Sequence, residues 1–168
     1  MATQKLMVVE DNQFMRALIS ELLEKQGFEV QAVDTTSAAV KLASSFDPDA
    51  AILDVELGTG PNGFDLARIL RESNPEIGLL FLTNIPEPKT IGVDNRSIPK
   101  DAAYLVKESV GNIELLLKAI KASLRGRVGA ELRQDREVHS LSNLSRSQLD
   151  LLHMAALGLS NTEIAQRR

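Results

Sequence analysis

The chain has 168 residues, of which 43% are apolar and 25% charged, with a net charge of −4 and no cysteine. This composition is typical of a globular protein, and it excludes a disordered chain, a disulfide framework and a thiolate metal site. No apolar run approaches the ~20 residues that a membrane span needs. The first apolar run is too short for a secretion signal, so we expect a cytoplasmic protein with no membrane partner.

Short, nearly continuous apolar runs recur along the first part of the chain, and such runs are typical of strands buried on both faces. Four are strong, at 6–9, 50–53, 77–82 and 102–106, and a weaker one at 29–33 suits an edge strand. Helical patterns separate them. The alternation predicts a doubly wound α/β domain with a parallel sheet and right-handed crossovers.

Helices are predicted where apolar residues recur every three or four positions after a capping residue. The regular ones cover approximately 15–26, 36–46, 63–73 and 113–125. Between the last two strands, residues 85–100 contain three prolines and a glycine, which oppose a regular helix. We therefore expect a short and irregular fourth helix in this interval.

Polar residues follow the predicted strands, and in an open α/β sheet ligands bind beyond the carboxyl ends of the strands. They are Glu10 and Asp11 after the first strand, Asp54 after the third, Thr83 at the end of the fourth and Lys107 after the fifth. Crowded carboxylates repel one another and recruit a cation, and Mg2+ prefers such oxygen ligands. A metal, a hydroxyl and an ammonium together favour phosphoryl transfer to a carboxylate, and Asp54 is the natural acceptor.

Each of these residues also has a purely structural interpretation. Asp11 could cap the first helix, Thr83 could be a β-former at a strand end, and Lys107 could be a solvated surface charge. Tyr104 is more often a packing residue than a switch. The joint occurrence of these residue types at one sheet edge favours the functional interpretation.

Residues 5–124 resemble the receiver domain of two-component response regulators. The resemblance rests on five short motifs: Val8-Val9-Glu10-Asp11, Ile52-Leu53-Asp54, Asn62-Gly63, Leu82-Thr83 and Tyr104-Leu105-Val106-Lys107. It implies a flavodoxin-like sheet of five parallel strands in the order 2-1-3-4-5, within a receiver domain at 1–125.

The resemblance also implies a role for each site residue. Asp54 would accept a phosphoryl group from the phosphohistidine of a sensor histidine kinase. Mg2+ would be held by Glu10, Asp11, Asp54 and the main-chain carbonyl of Glu56. Thr83 and Lys107 would hold phosphoryl oxygens, and Tyr104 would swing inward together with Thr83.

The sequence departs from the family pattern at three places. Glu108 follows Lys107 where a proline is usual. The loop 56–63 lacks an early proline and is longer by one residue. The irregular 85–101 segment replaces the usual signalling helix, so output uses another surface or the segment orders only on phosphorylation.

The tail at 144–168 resembles the start of a LuxR-type helix-turn-helix, through Leu144-Ser145 and the run Gly158-Leu159-Ser160-Asn161-Thr162-Glu163-Ile164-Ala165. Polar and charged residues at 126–143 are interpreted as a linker or as the frayed end of the last receiver helix. The recognition helix is missing, so DNA binding is expected only through a complete helix-turn-helix. The apolar residues of this tail should pack on the receiver or on a second copy of the chain in a homodimer, or else the tail is poorly ordered.

The leading interpretation is a phosphorylation-controlled response regulator that is not itself an enzyme and controls a DNA-binding output. One alternative is a receiver-type module that acts by protein contact without DNA. A less favoured alternative is an aspartyl-phosphate hydrolase, with Glu56 in the position where an acid or base would stand.

Overall fold

The computed structural model of the chain describes residues 2–136 and, beyond them, only positions 154 and 166. The chain divides into two compact units, Met1–Asp135 and Arg136–Arg168. The predicted helix-turn-helix start at 144–168 lies outside the described residues, apart from those two positions. Within the described part, no helix has both the length and the apolar character needed to cross a membrane.

The first unit contains a five-stranded parallel sheet with the order β2-β1-β3-β4-β5. The strands are β1 (Lys5–Val9), β2 (Glu29–Val33), β3 (Ala50–Leu53), β4 (Gly78–Thr83) and β5 (Ala103–Val106). β1, β3 and β4 are buried along almost their whole length, whereas β2 is largely exposed and lies at one edge. The prediction of a flavodoxin-like sheet in this order is confirmed.

Four α-helices surround the sheet within residues 2–136: α1 (Gln13–Lys25), α2 (Thr36–Phe46), α3 (Gly63–Ser73) and α4 (Ile113–Leu124). Because successive strand residues point to opposite faces, Met7 and Val9 join the core with α2 and α3, while Leu6 and Val8 join the core with α1 and α4. The sheet, whose carboxyl edge holds the predicted site residues, is therefore packed by helices on both faces.

Side-chain caps fix where the helices begin. Asn12 accepts from the backbone N–H of Met15 at 3.0 Å, and Thr35 accepts from Ala38 at the start of α2. Asp11 is therefore not the cap of α1, and its structural interpretation as a cap is wrong. Asn62 and Asp65 form a reciprocal capping box at the start of α3.

No α-helix forms between β4 and β5. The chain makes two 3-10 helices, Pro88–Ile91 and Asn95–Ser97, and Ile85 and Ile98 anchor the segment in the core. The prediction of an irregular segment is confirmed. Its physical reason is that proline lacks the N–H needed for helical hydrogen bonding.

The chain returns to the sheet after α4. Residues 130–135, here called the edge segment, begin with a 3-10 helix at Ala130–Leu132, and Arg133 then makes a parallel bridge to Tyr104 of β5. Leu132 is buried in the core shared with α1 and α4. Residues 126–135, which fall in the predicted linker, therefore belong to the first compact unit.

Candidate functional site

Three carboxylates meet at the carboxyl ends of β1 and β3. The sheet ladder continues one residue beyond each strand, since Glu10 donates its N–H to Val33 and Asp54 donates its N–H to Val9. One carboxylate oxygen each from Glu10, Asp11 and Asp54 lies within 4.8 Å of the others. Glu10 and Asp54 are buried and Asp11 is exposed, so the cluster opens to solvent on the Asp11 side.

Lys107 brings the opposite charge to this cluster from the end of β5. Its Nζ lies 2.7 Å from Glu10 Oε2 and 2.9 Å from Asp54 Oδ2. The backbone after Val106 enters a 3-10 helix at Lys107–Gly111. The lysine thus reaches both carboxylates although Glu108 follows it.

Burial and ion pairing act against each other in this cluster. Burial raises the pKa of Glu10, and the hydrogen bonds from Lys107 and from the Asn12 N–H offset this only in part. Burial acts to lower the pKa of Lys107, but hydrogen bonds and charges from Glu10 and Asp54 outweigh it, so this pKa is raised. The Lys107 amine is therefore protonated at neutral pH.

Hydrogen bonds from neighbouring residues hold the two buried acids in place. Asn12 N–H donates to Glu10 Oε1 at 3.0 Å, and Glu56 N–H donates to Asp54 Oδ1 at 3.2 Å. Arg16 donates to the main-chain carbonyl of Glu10 at 2.8 Å. The two Asp54 oxygens thus have different surroundings, one facing a backbone amide and the other facing the Lys107 ammonium.

Gly63 allows the loop after β3 to fold back over Asp54. Its N–H donates to the Val55 carbonyl at 2.9 Å. A Cβ at position 63 would lie only 2.2 Å from the main-chain oxygen of Asp54. A side chain here would displace the backbone of Asp54, so glycine is required for this close approach.

Thr83 and Tyr104 meet at Ile85. Thr83 is fully buried, and its Oγ1 accepts from the Ile85 N–H at 3.3 Å, while the Tyr104 hydroxyl donates to the Ile85 carbonyl at 2.6 Å. Tyr104 is also fully buried and packs beside Phe64 and Phe81. Tyr104 thus has an inward orientation in this structure.

The donor set fits a hard divalent cation. The three carboxylates border a cleft of about 850 Å3 that Glu56, Asn84 and Lys107 also line. Oxygen donors around a roomy, hydrated opening match the preference of Mg2+, which keeps several waters beside one or two carboxylates. The role of the Glu56 carbonyl as a ligand stays a prediction.

Several residues that shape the site lie outside the sequence prediction. Asn12 and Arg16 hold Glu10, Ile85 links Thr83 to Tyr104, and Gln134 contacts the backbone beside Lys107. An Asn directly before a helical pattern signals a cap. The other three carry no sequence signal, because their contacts depend on how loops fold back.

Residues 6–121 match the family model of the response regulator receiver domain. The nitrate/nitrite response regulator protein NarP of Escherichia coli is 32% identical over a gapped alignment of 179 positions, which covers 96% of this chain and 78% of that protein. The virulence factors putative positive transcription regulator BvgA of Bordetella pertussis is 26% identical, covering 96% of this chain and 80% of that protein.

A solved structure shows the same likeness. The DNA-binding response regulator of the LuxR family from Staphylococcus aureus superposes with a TM-score of 0.61 and 27% identity. The match covers 72% of this chain and 98% of that chain.

Proposed function

Because the chain belongs to the response regulator receiver family, we propose that Asp54 accepts a phosphoryl group from the phosphohistidine of a sensor histidine kinase. The observation that carries this proposal is the position of Asp54. Its buried carboxylate stands at the end of β3, 2.9 Å from the Lys107 ammonium and within one cluster with Glu10 and Asp11.

The proposed reaction moves one phosphoryl group between two nucleophiles. A carboxylate oxygen of Asp54 forms a bond to phosphorus as the phosphorus–nitrogen bond of the kinase phosphohistidine breaks. The departing imidazole keeps the electron pair of that bond and takes a proton. The product is a mixed anhydride on Asp54, and little covalent chemistry is left for other residues.

Glu10, Asp11 and Asp54, with the Glu56 carbonyl, would hold Mg2+, which would neutralise charge on the phosphoryl oxygens. Lys107 is placed to move from the Asp54 carboxylate to a phosphoryl oxygen once Asp54 is esterified. Thr83 would have to turn its hydroxyl from Ile85 toward the site. Tyr104 is tied to the same Ile85, so the two side chains would respond together.

The output proposed for the phosphorylated protein is control of transcription. The similarity to NarP and BvgA extends over 96% of the chain, beyond the receiver itself. We propose that DNA is bound through a LuxR-type helix-turn-helix of which 144–168 is the start, and that homodimers assemble on phosphorylation. Since both the kinase phosphohistidine and DNA are reached from the cytosol, we expect the protein to act there.

The test uses acetyl phosphate and Mg2+ with intact-mass measurement. The wild type should gain one phosphoryl group, and Asp54→Asn should gain none, because the isosteric amide is not a nucleophile. Asp34→Asn, which changes an exposed aspartate beyond β2, is the matched control and should label normally. Normal labelling of Asp54→Asn would make the assignment wrong, and repeated turnover of a phosphate ester would favour a hydrolase instead.

A further inference from the structure

The edge segment holds the backbone on both sides of Lys107. Gln134 Oε1 accepts a hydrogen bond from the Val106 N–H at 2.6 Å. The same side chain contacts the Ser109 hydroxyl, with Oε1 at 3.2 Å and Nε2 at 3.1 Å. Val106 precedes Lys107 by one residue and Ser109 follows it by two. A single amide thus ties together the two ends of the turn that carries the lysine.

Gln134 is itself rigidly placed. The backbone of Arg133, the residue before Gln134, forms a parallel bridge with Tyr104. The Arg133 side chain forms a bidentate ion pair with Asp135, through hydrogen bonds of 2.8 and 2.9 Å. Both side chains of this pair are buried. Leu132 fixes the other side of the segment in the core. The amide of Gln134 therefore approaches the turn from a well-supported backbone.

Lys107 needs such support because its own side chain is long and flexible. Its ammonium must reach Glu10 and Asp54 together, at 2.7 and 2.9 Å. A small shift of its Cα would change both distances, and sub-ångström positioning matters for groups that stabilise a transferring phosphoryl. Within residues 2–136, Gln134 is the side chain outside this turn that hydrogen-bonds on both sides of Lys107.

We propose that Gln134 is a positioning residue, which aims Lys107 at the phosphoryl group by clamping Val106 and Ser109. This inference rests on the proposed function of Asp54. By thermodynamic reciprocity, a phosphoryl group that engages Lys107 must in turn strengthen the docking of the edge segment.

The test compares Gln134→Ala with Glu131→Gln in the full chain. Glu131 is exposed and lies in the same segment, where it pairs with Lys118. Calorimetric titration measures the affinity for Mg2+ alone and then, with Mg2+ saturating, for beryllofluoride as a phosphoryl mimic. Gln134→Ala should weaken beryllofluoride binding about tenfold, as for the loss of one or two ordinary hydrogen bonds. It should not weaken Mg2+ binding, because Lys107 is not a metal ligand and its ammonium opposes a second cation.

A merely structural role would act differently. If Gln134 only pairs with backbone groups at the edge of β5, its removal should lower the melting temperature. Mg2+ and beryllofluoride binding should then change by the same factor, or both should stay unchanged. Either of these outcomes would overturn the proposal. Amide exchange at Val106 should become faster in Gln134→Ala, and unchanged exchange there would also count against the clamp.

If Gln134→Ala does not fold, Ser109→Ala provides a second test of the same contact. It removes one half of the clamp and should weaken beryllofluoride binding by a smaller factor. In the double variant the two effects should not multiply, since both residues act through one contact. A wild type that fails to bind beryllofluoride at all would instead refute the function proposed for Asp54.

Discussion

The hydroxyl of Tyr104 donates a 2.6 Å hydrogen bond to the carbonyl oxygen of Ile85. The N–H of the same Ile85 donates to Thr83 Oγ1, so one backbone unit connects both residues of the proposed switch. The chain has one tyrosine and no tryptophan. The ultraviolet absorbance and fluorescence of Tyr104 therefore report on this connection without interference.

Burial raises the pKa of the Tyr104 phenol, and the negative charges of Asp135 and Asp54 add to this, against a smaller opposing effect of Arg133. In the folded protein, tyrosinate absorbance should appear only at pH values well above those at which a free tyrosine titrates. Unfolding in urea should return the titration to the ordinary pH range. Since the folded state holds the proton more tightly, the free energy of unfolding should fall as pH rises above the ordinary tyrosine pKa. A normal titration in the folded protein would contradict the inward orientation.

Replacing Lys107 by alanine should separate metal binding from recognition of the phosphoryl group. The ammonium lies against two of the proposed Mg2+ ligands and repels a second cation, so its removal should raise Mg2+ affinity. Beryllofluoride binding should weaken, because one of its proposed partners is gone. Calorimetric titration measures both affinities.

Lys118→Ala is the matched control for Lys107, since it removes an exposed lysine of α4 that pairs with Glu131. It should change neither affinity. A loss of Mg2+ affinity in Lys107→Ala with beryllofluoride binding intact would reverse the roles proposed here.

Gly63→Ala should disturb Asp54 directly. The added Cβ would overlap the main-chain oxygen of Asp54 at 2.2 Å, and such overpacking typically costs about 1–3 kcal/mol of folding free energy. Urea unfolding measures the loss, and labelling by acetyl phosphate should slow at the same time. Gly111→Ala, where a Cβ meets nothing within 4 Å, should leave both measurements unchanged, and equal effects at the two positions would refute the close approach.

Leu132→Ala tests whether the edge segment belongs to the folded unit. Leu132 is buried in the core with Leu105 and Leu116, so its truncation should lower the free energy of unfolding by about 2–5 kcal/mol. Glu131→Ala, at the exposed neighbouring position, should have little effect in the same urea titration. Equal, small losses at both positions would mean that the segment is not docked in solution.

The sequence predicted the sheet well because its strands are short apolar runs separated by helical patterns, which leave few other arrangements. The end of each strand then fixed where Glu10, Asp11, Asp54 and Lys107 would meet, since parallel strands share one carboxyl edge. The irregular course of the chain after Ile85 was also predictable, because three prolines in sixteen residues oppose a regular helix.

The edge segment could not be predicted. Residues 126–136 are mostly polar and charged, and the pair of Arg133 and Asp135 has the appearance of a solvated surface in sequence. Burial of an arginine becomes favourable only when a carboxylate meets its guanidinium in the right geometry. That geometry depends on the loop at Pro99 and on the edge of β5, which are distant in sequence.

The docked segment also determines where this protein can be cut without harm. A fragment that stops at residue 125, the predicted receiver limit, would leave the outer backbone of β5 and the pocket vacated by Leu132 open to neighbouring molecules. Exposed strand edges pair with the strands of other molecules and so promote aggregation. Fragments for biophysical work should therefore extend at least to Asp135.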